Sequence, residues 1–229
     1  SLPLRKIFKI MAKKKEINKQ GILSLYIDYF LNHNKQPQSV YLFAKHAGFE
    51  EGLFYKHYAS FNQIEQNFFT LLFDNTLELL GKSEEFASYD ARTKLLSFYF
   101  TYFEMLTANR SFVVALLNED KNKLKSLSKL TELRKSFKQF YDTLDIEKID
   151  LKQEKLIEIQ EKTMSEMAWF QFLFTLKFWI EDTSISFEKT DIFIEKSVNT
   201  SFDLMDTTPF KSLIDFGKFM WHERGSFKM

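Results

Sequence analysis

Side chains that can bind another molecule through charge and hydrogen bonds cluster in the segment Ser39–Gln63. The eight residues at its centre, 50–57, include two carboxylates, a phenol, an ammonium group and an imidazole. Groups of these kinds can hold phosphates or read the edges of bases when one rigid element presents them together. The chemistry expected of this segment is therefore recognition of a partner rather than the breaking of bonds.

No group of residues in the sequence has the composition of a catalytic or metal centre. The chain contains no cysteine, which excludes disulfides, thiolate nucleophiles and cysteine-based metal sites. None of its histidines pairs with a ligand at metal-binding spacing: His33, His46, His57 and His222. A nucleophile, a base and an orienting acid cannot be placed together. We therefore expect a protein that is not an enzyme and that uses no metal or cofactor.

The elements that must present residues 50–57 are two short helices joined by a tight turn. The first helix is predicted by apolar residues that recur at helical spacing, namely Val40, Phe43, Ala44 and Ala47. Ser39 stands where an N-cap is needed, and Gly48 permits a sharp turn. The second short helix is expected to bury Phe54 and Tyr58. Ser60 with Gln63 is a capping-box pattern for the next helix. Two helices around a glycine turn are typical of a helix-turn-helix, whose second helix lies in a DNA major groove.

These residues resemble the signature of the TetR-type transcriptional regulators, in which an Ala-Gly turn leads into Gly-x-x-Tyr-x-His-Phe and Ser-Lys-x-x-Leu. The matching or closely similar residues are Ala44, Ala47, Gly48, Gly52, Tyr55, His57, Ser60 and Ile64. The resemblance, which spans Ser39–Ile64, implies a three-helix DNA-binding head followed by a larger helical body. In that family the last long helices form a dimer through a four-helix bundle, and a cavity in each body binds a small effector.

Three residues depart from the family signature. Glu50 replaces a small hydroxyl residue, Leu53 replaces a Thr or Ser, and Phe61 replaces a Lys that typically contacts a phosphate. The acidic pair Glu50 and Glu51 suits the helix macrodipole but repels phosphate groups. Two interpretations stay open: the head has an altered sequence specificity, or its affinity for DNA is weakened.

The resemblance implies DNA contacts for seven residues, which are Ser39, Glu50, Glu51, Leu53, Tyr55, Lys56 and His57. Ser39, Tyr55, Lys56 and His57 are expected to hold phosphates and to set the register on the duplex. The other three face the bases, because a glutamate can accept from cytosine N4 and a leucine can contact a thymine methyl.

Composition predicts an all-α protein. Of the 229 residues 45% are hydrophobic and 27 are Phe, whereas only 6 are Gly and 3 are Pro. Helices are expected over 17–33, 61–80, Ala91–Ala108, Ser111–Leu117, Asp120–Leu144, Leu151–Glu181, Thr190–Met205 and Pro209–Trp221. The helix over 61–80 should couple a head of residues 1–60, with its basic arm, rigidly to a body of residues 61–229.

Two aromatic segments of the body, Phe98–Met105 and Trp169–Trp179, are apolar on all sides and are therefore expected to be buried. By resemblance, they could line an effector pocket formed by Phe98, Tyr99, Tyr102, Phe103, Trp169, Phe170, Gln171 and Phe174. Plain core packing without a cavity is the alternative that stays open.

Charge is distributed unevenly along the chain. Residues 1–60 carry ten basic against four acidic residues, or +6, which leaves −5 for the rest of a chain of net charge +1. A basic head on an acidic body suits a nucleic-acid binder. We find no secretory signal, and the longest apolar run, Met167–Ile180, is too short to span a membrane. We therefore expect a cytoplasmic protein without a membrane partner. Whether residues 1–10 are native or Met11 is the start stays open.

Together these observations favour a homodimeric, ligand-responsive transcriptional regulator, a repressor released by a small hydrophobic effector, with a double-stranded DNA operator as its partner. The alternative is a protein of the same fold that has lost specific DNA binding and acts as a ligand-sensing or protein-interaction module.

Overall fold

The computed structural model describes residues 17–119, 123–146, 154–205 and 216, apart from the side chains of residues 123–125 and 154–160. Within these residues the chain is helical and contains no strand, which confirms the all-α prediction. The helices are α1 Lys19–His33, α2 Val40–Ala47, α3 Glu51–His57, α4 Phe61–Gly81, α5 Glu84–Ser88, α6 Ala91–Ala108, α7 Arg110–Asn118, α8 Lys123–Ser128, α9 Thr131–Asp142, α10 Glu154–Glu181 and α11 Glu188–Met205, with a 3₁₀ turn at Ile185–Phe187.

The helix ends of the head follow the signals in the sequence. The Ser39 side chain accepts from the Leu42 N–H at 3.2 Å and so caps α2. Ser60 accepts from the Gln63 N–H at 3.3 Å, and the Gln63 side chain reaches back to the Ala59 N–H. These bonds satisfy backbone donors that a helix start leaves without partners. The starts of α2 and α4 are thus set by local chemistry.

Two features of the body differ from the sequence prediction. The single helix expected over Asp120–Leu144 is divided, because Leu130 leaves the helical conformation between α8 and α9. The break places the Lys129 side chain, 3% exposed, in the interior. The short helix α5 was not predicted, and the helix expected over Pro209–Trp221 lies outside the described residues apart from residue 216.

Helices α4, α6, α9, α10 and α11 pack side by side and enclose most of the aromatic core. The head contacts this body at a second place besides α4, because α1 packs on α7. The Phe112 ring of α7 lies 6.4 Å from the ring of Tyr26, 5.5 Å from that of Phe30 and 4.9 Å from that of Phe68. The expected rigid coupling through α4 is therefore reinforced by a direct contact between α1 and the body.

The longest apolar run of the sequence lies in α10, where Phe172 and Trp179 are completely buried in the protein core. None of the helices in the described part of the chain has both the length and the apolar content that crossing a bilayer requires.

Candidate nucleic-acid interface

The turn between α2 and α3 sets the direction of α3. Gly48 has a φ of 75°, a left-handed conformation that favours glycine, and its N–H donates to the Ala44 carbonyl. The Phe49 N–H donates to the same carbonyl at 3.0 Å. The Phe49 ring then packs edge-on against Phe43 in the core of the head. These contacts anchor the residues that lead into α3.

Phe54, together with the half-buried Leu53, seats α3 on the head. Phe54 has no exposed surface, and its ring contacts the rings of Phe43, Tyr58 and Phe61. The glycine of this helix, Gly52, is exposed, and a Cβ added there would meet no atom within 4 Å. The outer surface of α3 is thus free of contacts and can approach another molecule closely.

The structure places six of the seven predicted DNA contacts at or along α3. Glu50, Tyr55 and Lys56 are exposed, whereas Glu51, Leu53 and His57 are half-buried. The seventh, Ser39, is exposed at the start of α2, where its hydroxyl caps that helix. The structure therefore presents this set on the surface of α2 and α3, and the DNA contacts themselves stay predictions.

Two exposed residues beside Ser39 were not singled out from the sequence. Tyr41 is 55% and Leu42 is 44% exposed in the first turn of α2, close to the N-cap. Exposed apolar side chains are common on protein surfaces, but the place of these two beside the start of α2 lets them contact a molecule that approaches Ser39. The sequence does contain a signal for their exposure. Both residues fall between the apolar positions of the helical pattern that identifies α2, so they lie on its outer side.

Phe61 does not occupy the surface position that its alignment with a phosphate-binding lysine suggested. It is 7% exposed, and its ring lies 5.5 Å from that of Tyr26 and 5.4 Å from that of Phe54. The first residue of α4 turns inward here and closes the core of the head. Its aromatic character is therefore explained by packing, and a lysine at this site would bury a charge.

The described part of the head has little net charge. Residues 17–60 contain four lysines, of which Lys56 lies in α3, against Asp28, Glu50 and Glu51. The other six basic residues of the head precede Ile17 in the sequence. Most of the expected electrostatic attraction to phosphates therefore comes from residues 1–16, which lie outside the described residues.

A buried polar network joins the head to the body, and we call it the junction network: Tyr26, Glu65, Lys129 and Glu119. The Tyr26 hydroxyl donates to Glu65 Oε1 at 2.5 Å. The Lys129 ammonium lies 3.4 Å from Glu65 Oε2 and 2.8 Å from Glu119 Oε2. Lys129 also donates to the Leu116 carbonyl at 3.2 Å. The network thus links α1, α4, the end of α7 and the turn before α9.

Burial and pairing oppose one another in the junction network. Burial raises the pKa of Glu65, while the hydrogen bond from Tyr26 and the charge of Lys129 lower it. Burial, followed by the Glu65 charge, raises the pKa of Tyr26. A buried carboxylate is tolerated only when charges and donors around it replace water, so each member of the network depends on the others.

The predicted pocket residues divide into two groups. Five of them are buried together with Phe137 and Phe172, which were not singled out from the sequence. We call these seven rings the aromatic cluster: Phe98, Tyr99, Tyr102, Phe103, Phe137, Trp169 and Phe172. In contrast, Phe170 and Phe174 are 57% and 66% exposed on the opposite side of α10. Gln171 hydrogen-bonds Ser197 and Ser201 of α11.

The two tyrosines of the aromatic cluster differ in their hydrogen bonding. The Tyr102 hydroxyl donates to the Phe69 carbonyl at 3.3 Å. The Tyr99 hydroxyl is buried without a hydrogen-bond partner. Burial raises the pKa of both phenols well above the usual value, so both carry their proton.

An apolar surface covers the outer side of α10 and α11, and we call it the α10–α11 face. Met167, Phe170 and Phe174 are 54%, 57% and 66% exposed at helical spacing. Next to them, the Phe178 and Phe193 rings stack at 4.5 Å and border an open depression of about 560 Å³. Large exposed apolar surfaces of this kind usually mark an interaction site.

The turn between α10 and α11 is held by two polar side chains. The Arg110 guanidinium donates to the Trp179 carbonyl at 2.7 Å and lies 4.5 Å from the rings of both Trp179 and Phe187. Asp182 accepts from the N–H and hydroxyl groups of Ser184 and Thr190. These bonds fix the crossing of the two helices that carry the α10–α11 face.

Residues 94–220 match the family model described as tetracyclin repressor-like, C-terminal domain. The match includes most of α6 and all of α7 to α11, and it covers more than half of the chain. No curated protein matches the chain in sequence.

Proposed function

Since the chain belongs to the TetR family of transcriptional regulators, we propose that it is a homodimeric repressor that binds a DNA operator and is released by a small hydrophobic effector. The division into a head of residues 1–60 and a body of residues 61–229 is part of this proposal. The observation that carries it is the placement of α3, which the buried Phe54 and the half-buried Leu53 seat on the head while Tyr55 and Lys56 are exposed.

The DNA-binding part of the proposal is supported by the chemistry of the surface of α2 and α3. Lys56 and Tyr55 supply donors for phosphate oxygens, and Ser39 marks a helix start where backbone N–H groups face outward. Glu51 and Leu53 are the side chains nearest the start of α3, the part of a recognition helix that contacts base edges. Gly52 leaves room for a close approach of the backbone.

The dimer part of the proposal is supported by the α10–α11 face. This face consists of large exposed apolar side chains on two adjacent antiparallel helices, which is the arrangement that a four-helix bundle with a second copy would bury. A symmetric dimer would present two copies of α3. To enter successive major grooves, these must lie about 34–36 Å apart.

Release by an effector requires that the effector bind two conformations of the body with different affinities. A complete switch needs about a 10⁴-fold difference in affinity, which corresponds to about 5.5 kcal/mol. The junction network and the contacts of Phe112 supply a stiff connection along which a movement of the body would reach α1 and α4.

The proposal is tested by measuring how tightly the full chain binds the DNA upstream of its own gene. The affinity of the wild-type protein is compared with that of Lys56→Ala and of a matched control variant. Lys56→Ala should weaken binding several-fold and reduce the salt dependence by about one phosphate contact. The control is Lys82→Ala, since Lys82 is an exposed lysine beyond the end of α4 that pairs only with Glu78 among the described contacts. Equal losses in both variants would contradict the assignment of α3.

A second candidate function is supported by the low net charge of the described head and by the acidic pair at the start of α3. In this alternative the chain keeps the fold but has lost specific DNA binding, and the α10–α11 face or an effector provides its function. The two candidates differ in one observable: only the repressor prefers its own operator over random DNA of the same length.

A further inference from the structure

We propose that the Tyr99 hydroxyl is the hydrogen-bond donor for the effector, and that the effector is a neutral aromatic molecule with a hydrogen-bond acceptor such as a carbonyl oxygen. This inference rests on the proposed ligand response, and it adds the chemical class of the ligand and the residue that selects it.

The first argument is the state of the Tyr99 hydroxyl. It has no exposed surface and no hydrogen-bond partner, deep between α6, α9 and α10. Leaving a buried donor without a partner destabilises the fold, and native structures seldom retain such a group without a reason. Burial keeps the phenol protonated, so the group offers a donor to whatever enters the cluster.

The second argument is the contrast with the other polar groups among the predicted pocket residues. The Tyr102 hydroxyl is already bonded to the Phe69 carbonyl, at 3.3 Å. Gln171 is bonded to Ser197 at 3.3 Å and to Ser201 at 3.0 Å, on the other side of α10. Of these three side chains, only that of Tyr99 makes no hydrogen bond.

The third argument concerns the ligand's own chemistry. Tyr99 is surrounded by rings, with those of Phe103, Phe172 and Phe137 at 6.0, 5.9 and 6.2 Å. Flat ring faces and edges favour an aromatic partner. No member of the aromatic cluster carries a charge that could compensate an ionised ligand, and burying such a ligand would be very costly. A neutral molecule with one acceptor fits these surroundings.

Space for the ligand must come from movement of α9. Near the end of α9, Tyr141 borders a small recess of about 10 Å³, room for no more than a water molecule, whose other lining residues are Asp142, Leu144, Ile146, Glu161 and Met164. An aromatic ligand therefore requires α9 to move away from α6 and α10. The turn before α9 is tied to α4 through Lys129 and through the Ser128 carbonyl, which accepts from Gln66 at 2.9 Å. Ligand entry would thus act on the helix that leads to the head.

The test uses two matched probes, benzophenone and diphenylmethane, which share two phenyl rings and differ in the carbonyl oxygen. Binding of each to the full chain is measured by equilibrium dialysis without DNA. Tyr99→Phe should weaken the binding of benzophenone about tenfold, which is the effect of losing one hydrogen bond of a desolvated group. The same substitution should change the affinity for diphenylmethane less than twofold. Tyr58→Phe is the control, because the Tyr58 hydroxyl lies in the head, where it hydrogen-bonds Asn67 Oδ1 at 2.9 Å, and this variant should leave both affinities within twofold.

The ligand-free melting temperature checks the premise independently. Tyr99→Phe should leave it unchanged or raise it, because no bond is lost, whereas Tyr102→Phe should lower it. Equal losses for both probes in Tyr99→Phe, binding of neither probe, or a melting temperature lowered as much as in Tyr102→Phe would each overturn the proposal. The separate DNA-binding experiment is independent of these outcomes. Its failure would contradict the repressor function and would leave the ligand proposal standing.

Discussion

The surface of α3 and the junction network are built in opposite ways. At α3 the charged residues Glu50 and Lys56 are exposed and Glu51 is half-buried, while Phe54 is buried. In the junction network Glu65 and Lys129 are buried and their charges pair with each other. Tyr26 donates a hydrogen bond to Glu65, and Glu119 also pairs with Lys129. The first region is open to a partner, while the second region has its partners within the chain.

This difference separates the residues whose substitution the fold tolerates from those whose substitution it does not. A substitution on the surface of α3 changes what the helix contacts but leaves the packing of the head intact. A substitution in the junction network leaves a buried charge without a counter-charge and so affects the whole fold. The departures from the family signature at Glu50 and Leu53 fall in the first region, while that at Phe61 belongs to the core of the head.

The largest effect is expected for Lys129→Met, which removes the buried ammonium and leaves Glu65 unpaired. The free energy of unfolding at neutral pH should fall by about 3–5 kcal/mol, as for other broken buried pairs. It should fall less at acidic pH, because burial raises the pKa of Glu65 and lets it take up a proton. Denaturant unfolding measures both values, with the exposed Lys82→Met as the control. A loss below about 1 kcal/mol would show that the network is not a structural link.

An intermediate effect is expected at the turn between α10 and α11. Burial acts to raise the pKa of Asp182, but the hydrogen bonds from Ser184 and Thr190 outweigh it and lower the pKa to about 2. Because the folded-state pKa lies below that of an unfolded aspartate, about 3.9, the stabilisation is complete above about pH 4 and is lost as the pH falls towards 2. Asp182→Asn should reduce stability by about 1–2 kcal/mol at neutral pH, typical of a lost cap.

The same substitution should remove part of the acid dependence, so wild type and Asp182→Asn should converge in stability between about pH 4 and pH 2. Thermal unfolding of the two proteins across this range measures the difference. A constant difference from neutral pH to pH 2 would contradict the assignment of Asp182.

The smallest effect on stability, within about 0.5 kcal/mol, is expected for substitutions on the surface of α3. The pair Glu50→Gln and Glu51→Gln removes two charges that repel phosphates, so non-specific DNA affinity at low salt should rise several-fold. Preference for the operator should fall if either carboxylate reads a cytosine. Fluorescence anisotropy with operator and random duplexes measures both quantities, and unchanged binding to either duplex would place the pair away from DNA.

Much of the head could be predicted from the sequence, because its boundaries depend on local signals. Ser39, Gly48 and Ser60 act on backbone groups within a few residues, so their roles follow from spacing alone. The division between α8 and α9 could not be predicted in this way. It follows from the burial of Lys129 beside Glu65, a partner on another helix more than sixty residues away.

The candidate site shows the same limit. The outward position of residues on α3 followed from the burial of Phe54 and Tyr58, which helical spacing predicts. The inward position of Phe61 did not follow, because an alignment with a lysine carries no information on how the ring packs. Likewise, the separation of Phe170 and Phe174 from the aromatic cluster depends on which side of α10 faces the core, in a segment that is apolar all round.

The central claim is that α3 makes this chain a sequence-specific DNA-binding protein. It is tested most directly by the ratio of affinities for DNA upstream of its own gene and for scrambled DNA of equal length, measured across a salt series. We expect a preference of at least about 10³-fold, with affinity for both duplexes falling steeply as salt rises. Equal affinity for the two duplexes at low salt would contradict the claim.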